Sequence, residues 1–299
     1  MMKQALTLRA QDRILGFYLL LPSIIILFAI IVYPIGYSLW LSFHNLNINN
    51  PAKGQQFVGL QNYIDVIKSS DWWMSILRIL YFVAADLIVG IPLGLAIALL
   101  LNKEHKGKGI VLAIVVFPYI LAPIVNSLIW KLIYDPNYGL LNGLLTQLGI
   151  IKDYVAWLSD PKLAMIMLII ANLWQGTPFS IVLFLAGLKS IPKEEYEAAA
   201  IDGSSSLVSF RYITIPHLMP IIYMNVVMKT IATFKVFDII YSLTGGGPGG
   251  STTVVGMLIY KESFEYMKFG QGAAMSFLLL VIVLCFVIAY SRMYKEEEI

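Results

Sequence analysis

Cysteine is nearly absent from the 299-residue chain. Only Cys285 occurs, inside an apolar run, so a disulfide framework and a CxxC-type metal site are both excluded. Histidine is scarce too: His44, His105 and His217 are scattered and form no zinc-ligand cluster. Charge is the most informative shortage. Asp, Glu, Lys and Arg make up 13% of the residues, about half the ~25% of ordinary soluble domains. Too few charges remain to cover a water-facing surface, and a soluble monomer is excluded. The net charge of +3 is too small to suggest nucleic acid as a partner. Neither a metal cluster nor a nucleophile–base pair is present, so no catalytic residue, metal site or cofactor is expected in this chain.

What abounds is apolar sequence, 59% of the chain. A membrane span needs about 20 mostly apolar residues to cross a ~30 Å hydrocarbon layer. Six segments qualify, at about 14–41, 73–101, 110–133, 163–189, 216–243 and 271–291. The first follows Lys3, Arg9 and Arg13, as a signal peptide would. Its apolar run is far longer than the ~7–15-residue core of a signal, and no small-x-small cleavage site follows, so it is expected to remain as a helix. The fold expected is an all-α integral membrane protein with six transmembrane helices.

Six spans leave both termini on one side. The flanks on that side (the N-terminus, 102–109, 189–215 and the C-terminus) hold eleven basic residues. The opposite loops, 42–72, 134–162 and 244–270, are longer in total and hold six. The positive-inside rule places both termini in the cytoplasm. The chain then divides into a cytoplasmic N-terminus (1–13), a first span with its outer loop (14–72), a five-helix core (73–291) and a cytoplasmic tail (292–299). Trp72, Trp73, Trp157 and Tyr266 fall where interfacial anchors are expected. The run from Gly245 to Gly250 invites comparison with a phosphate loop. It lacks the lysine that reaches the β/γ-phosphates, and it lies on the outer side, so no ATP site is expected in this chain.

The cytoplasmic loop 190–215 is the most informative stretch. Pro192 suits the first turn of a helix, and Glu194, Glu195 and Glu197 suit its dipole. Ala198, Ala199 and Ala200 supply helix propensity and a smooth face. Gly203 is a natural left-handed cap. Ser204–Ser206 then start a second short helix that runs toward Ile213, with Pro216 opening the fifth span. On propensity alone, this is equally an amphipathic helix that stiffens a loop.

Spacing adds more. Glu197-Ala198-Ala199, three residues, Gly203, nine residues and Ile213-x-Ile215-Pro216 resemble the signature loop of binding-protein-dependent ABC importer permeases. That pattern ends Ile-x-Leu-Pro, and Ile215 stands here for the leucine. Gly176-Thr177-Pro178-Phe179, Ala186-Gly187-Leu188, Asp135-Pro136-x-x-Gly139-x-x-Asn142 and the run Phe237–Pro248 are similar to the sugar-transport branch, of the maltose type without a large extra domain. Together these stretches cover most of residues 78–291.

The resemblance implies an ABC type I importer transmembrane-domain fold in a plasma (inner) membrane. It implies that Glu197, Ala198, Ala199 and Gly203 form the element that couples to a cytoplasmic ATPase. It also implies a second homologous permease subunit, two ATPase subunits and an extracytoplasmic sugar-binding protein, with uptake by alternating access.

Charges at membrane depth are costly and mark function or a specific partner. Arg78 and Lys131 lie near span ends and are expected to snorkel. Asp86 is deeper and should face another helix. On the fifth span Lys229, Thr233 and Val236 fall on one helical face, while Lys235 and Asp238, three apart, are placed to neutralise each other. The fourth span offers Asn172, Gln175, Gly176 and Phe179 as a stripe. These residues, with Asp238, are the candidate substrate pathway, because a sugar needs hydroxyl-bonding amides and an aromatic plate. Intramembrane Asn, Gln and Thr also serve simply to bond neighbouring helices. Lys229 leaves open an anionic ligand such as a phosphorylated polyol. The competing class is a secondary, ion-coupled transporter with Asp86 or Asp238 as its ion carboxylate.

Overall fold

The computed structural model describes residues 2–46, 55–103 and 106–297, the side chains of 2–12, 14 and 293–297 excepted. The basic side chains Lys3, Arg9 and Lys295, and His105, used above, lie outside the described ones. Among the described residues, five helices are long and apolar enough to cross a membrane, or six if one sharply bent pair is a single span. We label the helices α1 (Leu15–Ser42), α2 (Gln61–Lys68), α3 (Ser70–Asn102), α4 (Lys108–Ile120), α5 (Pro123–Ile133), α6 (Leu140–Gln147), α7 (Pro161–Ser190), α8 (Lys193–Ile201), α9 (Ser206–Phe234), α10 (Asp238–Leu243), α11 (Val255–Tyr260) and α12 (Phe269–Arg292).

The chain divides into two compact units. One comprises Met1–Lys68 and Ile259–Leu278. In it a two-residue antiparallel ladder pairs His44 with Phe57 and Asn45 with Gln56. The buried Asn62 amide donates to the carbonyls of Ser42 (2.8 Å) and His44 (3.0 Å), so backbone groups at the end of α1 are satisfied by a side chain.

The other unit, Ser69–Leu258 and Leu279–Ile299, holds α3–α10. Its centre is α7. Asp160 caps that helix by accepting from the N–H groups of Lys162 and Leu163, both at 2.9 Å, and Pro161 occupies the first turn, where no donor is lost. α3 packs closely on α7 because Gly94 faces Ser180: a Cβ on Gly94 would lie 2.6 Å from the Ser180 Cβ. Gly187 likewise lets Leu218 and Ile221 of α9 approach. Small residues at such contacts allow the close backbone approach that membrane helices rely on. Ile91, Ala98, Ile181, Phe184, Leu188 and Leu218 form the apolar core between the three helices.

Five sequence expectations are corrected here. The segment 110–133 is not one straight span: α4 and α5 meet at 102° across Leu121 and Ala122. Pro123, at the start of α5, disfavours a helical conformation just before it and cannot donate across the joint. The fifth span begins at Ser206 rather than 216 and ends at Phe234 rather than 243. The short helix after Gly203 therefore runs on into α9, through a wide turn at Phe210–Thr214. Because the helix stops at Phe234, Lys235 and Asp238 lack the helical spacing that would pair them. Finally, Trp72 and Trp157 are buried against protein, whereas Trp73 and Tyr266 are exposed. Arg78 does not simply snorkel, since its guanidinium donates to the Thr253 carbonyl at 3.1 Å. Lys131 is exposed.

The loop motifs prove to be architectural. The Asp135 carboxylate accepts from the N–H groups of Asn137 (2.8 Å) and Tyr138 (3.1 Å). These backbone donors, Asn137 first, hold its carboxyl below the usual carboxylate range. Asn142 is fully buried and ties four groups together. Its amide donates to the carbonyls of Val155 (3.0 Å) and Asp135 (3.3 Å), and its oxygen accepts from Val155 N–H (3.1 Å) and Trp157 Nε1 (2.9 Å). The glycine run is braced by threonine hydroxyls. Thr252 donates to Gly247 O at 2.7 Å and Thr253 to Gly246 O at 3.1 Å, and the Thr244 and Thr252 hydroxyls lie 2.8 Å apart. Gly245, Gly246, Gly249 and Gly250 all have positive φ, which explains why glycine fills the loop.

Candidate functional site

Asp86 is the midpoint of α3 and is 4% exposed. It begins a single wide turn, Asp86–Gly90, of the kind that interrupts helices at functional sites. An unpaired carboxylate here would carry a large desolvation cost, and the fold brings it three donors. Lys229 Nζ of α9 donates to Oδ1 at 2.8 Å, and the pair is 5% exposed on each side. Thr233 Oγ1, one turn along α9, donates to Oδ2 at 2.5 Å. Asn172 Nδ2 of α7 adds a weaker bond to the same oxygen at 3.3 Å. One carboxylate thus links three helices.

Two glycines make room for the ammonium. A Cβ on Gly90 of α3 or on Gly176 of α7 would each lie 3.3 Å from Lys229 Nζ. Gly176, chosen from sequence for a ligand, therefore has a packing reason to be glycine.

Two adjoining cavities open beside this cluster. One, about 190 Å³, is lined in part by Asp86, Asn172, Gly176, Phe179, Lys229 and Thr233. The other, about 420 Å³, takes in Gln175, Lys235 and Asp238. They share Tyr119, Asn172, Gly176, Ala232 and Val236 and so form one cleft. All eight pathway candidates read from the sequence lie on its walls. Lys229 and Thr233 are on the common face expected of them, and Val236 joins them from beyond the end of α9.

Two of the expected roles change. The Gln175 amide is engaged at the α4–α5 joint, where its nitrogen donates to Leu121 O at 3.1 Å and its oxygen accepts from Asn126 Nδ2 at 2.8 Å. It holds the bend. Lys229 is matched by Asp86, so its charge is compensated within the protein. Conversely, the sequence reading missed Tyr119 and Ala232 as lining residues. The Tyr119 ring lies 5.9 Å from that of Phe179 at 32°, which gives the cleft an aromatic pair. The proline pair Pro118 and Pro123 was the available signal, because the break it makes ends α4 just beyond Tyr119.

The loop 190–215 forms the helix–glycine–helix expected. α8 carries Glu194 and Glu195 in its first turn. Gly203 adopts φ +77°, and Ser204 N–H closes back on Ala199 O at 2.9 Å, the hydrogen bonding of a left-handed glycine cap. Ser205 Oγ then accepts from Val208 N–H at 3.4 Å to start α9. Two contacts fasten α8 to α9: the Tyr196 and Thr214 hydroxyls lie 2.8 Å apart, and His217 Nε2 is 3.2 Å from Glu195 Oε1. Glu197, Ala198 and Gly203 are exposed, with Ala199 half-buried, and Ile201, Leu207 and Tyr212 project apolar surface nearby.

The chain resembles known transport proteins along nearly its whole length. The trehalose/maltose transport system permease protein MalF of Thermococcus litoralis is 38% identical over 285 residues, 95% of each chain. The trehalose transport system permease protein SugA of Mycobacterium tuberculosis is 33% identical over 281 residues, 93% of this chain and 89% of that one. The fold matches that of a bacterial ABC transporter involved in the import of the acidic polysaccharide alginate, with TM-score 0.84 and 23% identity, over 98% of this chain and 99% of that chain. Residues 90–295 match the family described as the binding-protein-dependent transport system inner membrane component. With that match over most of its length, the chain belongs to this family of ABC transporter permeases.

Proposed function

We propose that this chain is the permease subunit of an ATP-driven importer of a sugar, and that the cleft between α4, α7 and α9 is part of the sugar's path. The observation that carries the reading is the convergence of Asn172, Gln175, Gly176, Phe179, Lys229, Thr233, Val236 and Asp238 on one cleft. An aromatic pair, Tyr119 and Phe179, lies on its wall and suits the C–H face of a sugar ring. The relatives named for trehalose and maltose support the substrate class. A secondary carrier with Asp86 as its ion carboxylate is disfavoured, because both oxygens of Asp86 already accept bonds from the protein.

In this reading both termini are cytoplasmic, with segments 1–13, 14–72, 73–291 and 292–299 as N-terminus, first span with outer loop, permease core and tail. A second homologous permease completes the path. Two cytoplasmic ATPase subunits hydrolyse ATP, and an extracytoplasmic sugar-binding protein delivers the substrate. Glu197, Ala198, Ala199 and Gly203 couple to the ATPase: the small residues permit close approach, and Glu197 offers a charge to a basic partner. The test is ATP-driven sugar uptake by the reconstituted complex. Glu197→Lys with Gly203→Pro is expected to abolish uptake while the protein remains inserted. Normal uptake by that variant would refute the coupling assignment.

A further inference from the structure

The cleft is a mainly apolar cavity beside the midpoint of α3 with a lysine on its wall, and that lysine bears on the ligands it admits. In the smaller cavity Asp86 and Lys229 are the charged lining residues, one of each sign. In the larger one Lys235 and Asp238 again balance. We propose that Asp86 is a specificity-determining positioning residue: by holding the Lys229 ammonium it keeps the cleft without net charge, open to neutral saccharides and closed to anionic ones. This rests on the sugar-path reading above.

The geometry supports it from both partners. Lys229 reaches Asp86 at 2.8 Å, backed by the two glycines that leave space for its ammonium. Asp86 in turn receives Thr233 and Asn172 on its other oxygen, so its bonding capacity is turned inward rather than toward a ligand. At the distance of a bound ligand such a pair acts as a short dipole. Remove the carboxylate, and a whole positive charge faces a small, poorly solvated cavity. With an effective dielectric of about 20, a unit charge a few ångströms away changes the local concentration of a monovalent ion by about tenfold or more. Uncompensated, Lys229 would make the cleft an anion site, able to hold an acidic or phosphorylated sugar in preference to a neutral one.

The test uses the intact complex carrying Cys285→Ala and Ala232→Cys, since Ala232 lines both cavities. The introduced thiol is modified in parallel by anionic sulfonatoethyl and cationic trimethylammonioethyl methanethiosulfonates of similar size. Asp86→Asn is expected to raise the anion-to-cation rate ratio about tenfold or more. Asp86→Glu should leave the ratio unchanged, and adding Lys229→Met to Asp86→Asn should return it to its starting value. Lys229→Met alone should lower it. In a second arm, the neutral sugars maltose and trehalose compete with maltobionate, the acid of maltose, to protect the thiol, and Asp86→Asn is expected to shift the preference toward the acid by a similar factor. An unchanged reagent ratio in Asp86→Asn overturns the electrostatic role. A changed ratio with unchanged preference overturns the specificity role. If neither maltose nor trehalose protects the thiol before Asp86 is altered, the sugar-path reading fails and the specificity role falls with it.

Discussion

Removing one partner of the buried ion pair should reveal how strongly α3 and α9 are joined. Lys229→Met deletes the ammonium while keeping a long apolar stem. Two unit charges 2.8 Å apart attract by about 6 kcal/mol at an effective dielectric of about 20. Desolvation of both groups offsets much of that, so replacing the whole pair by apolar residues is close to neutral. Deleting one partner costs about 3–5 kcal/mol, because the other is left buried and uncompensated. Asp86 keeps Thr233 and Asn172 when Lys229 is lost, which puts Lys229→Met at the lower end of that range. Asp86→Val leaves an ammonium facing two glycines and belongs at the upper end. With the singles near the two ends of that range and the double close to neutral, the double variant should cost several kcal/mol less than the sum of the two singles. The assay is equilibrium unfolding of the purified chain in mixed micelles, by titration with dodecyl sulfate and far-ultraviolet circular dichroism. Singles and double that add to within about 0.5 kcal/mol would refute a coupled pair.

Three further outcomes are expected. Asn142→Ala orphans Val155 N–H and Trp157 Nε1 and should cost about 2–6 kcal/mol, at about 1–3 for each buried donor left unmade; the same unfolding assay checks it. Gly94→Leu drives a side chain into Ser180, and overpacking of this kind should cost about 1–3 kcal/mol or more, visible as a lower unfolding midpoint. Gln175→Leu strips the Leu121 carbonyl and the Asn126 amide of their partner. It should speed hydrogen exchange at Asn126 N–H, whose acceptor Ala122 O lies at the joint; unchanged exchange would mean that the bend is held by Pro123 alone.

Length and hydropathy were enough to place the long helices, because the bilayer sets a minimum apolar run whatever the packing. They carry no direction, so the run 110–133 shows its length and not the near-right-angled joint at Leu121–Ala122. The same blindness carried the fifth span through Ile239 and Ile240, which are apolar but belong to the separate helix α10. Helical spacing correctly put Lys229 and Thr233 on one face. It could not supply Asp86, 143 residues away from Lys229, since nothing periodic links two helices at that separation. Gln175 shows the converse limit: an intramembrane amide looks alike in sequence whether it awaits a ligand or holds a backbone carbonyl. Trp157 is buried because its loop folds back on protein at the Asn142 hub, and Trp72 because it lies in the first turn of α3 on the face that packs inward.

Two side-chain contacts fasten α8 to α9, two elements that the glycine turn separates in sequence. Tyr196 and Glu195 grip Thr214 and His217, and the same rod carries Lys229 fifteen residues further on, about 22 Å at 1.5 Å per residue. A rotation of α9 about its own axis would therefore strain two sets of contacts at once, those with α8 at one end and the Asp86 pair at the other.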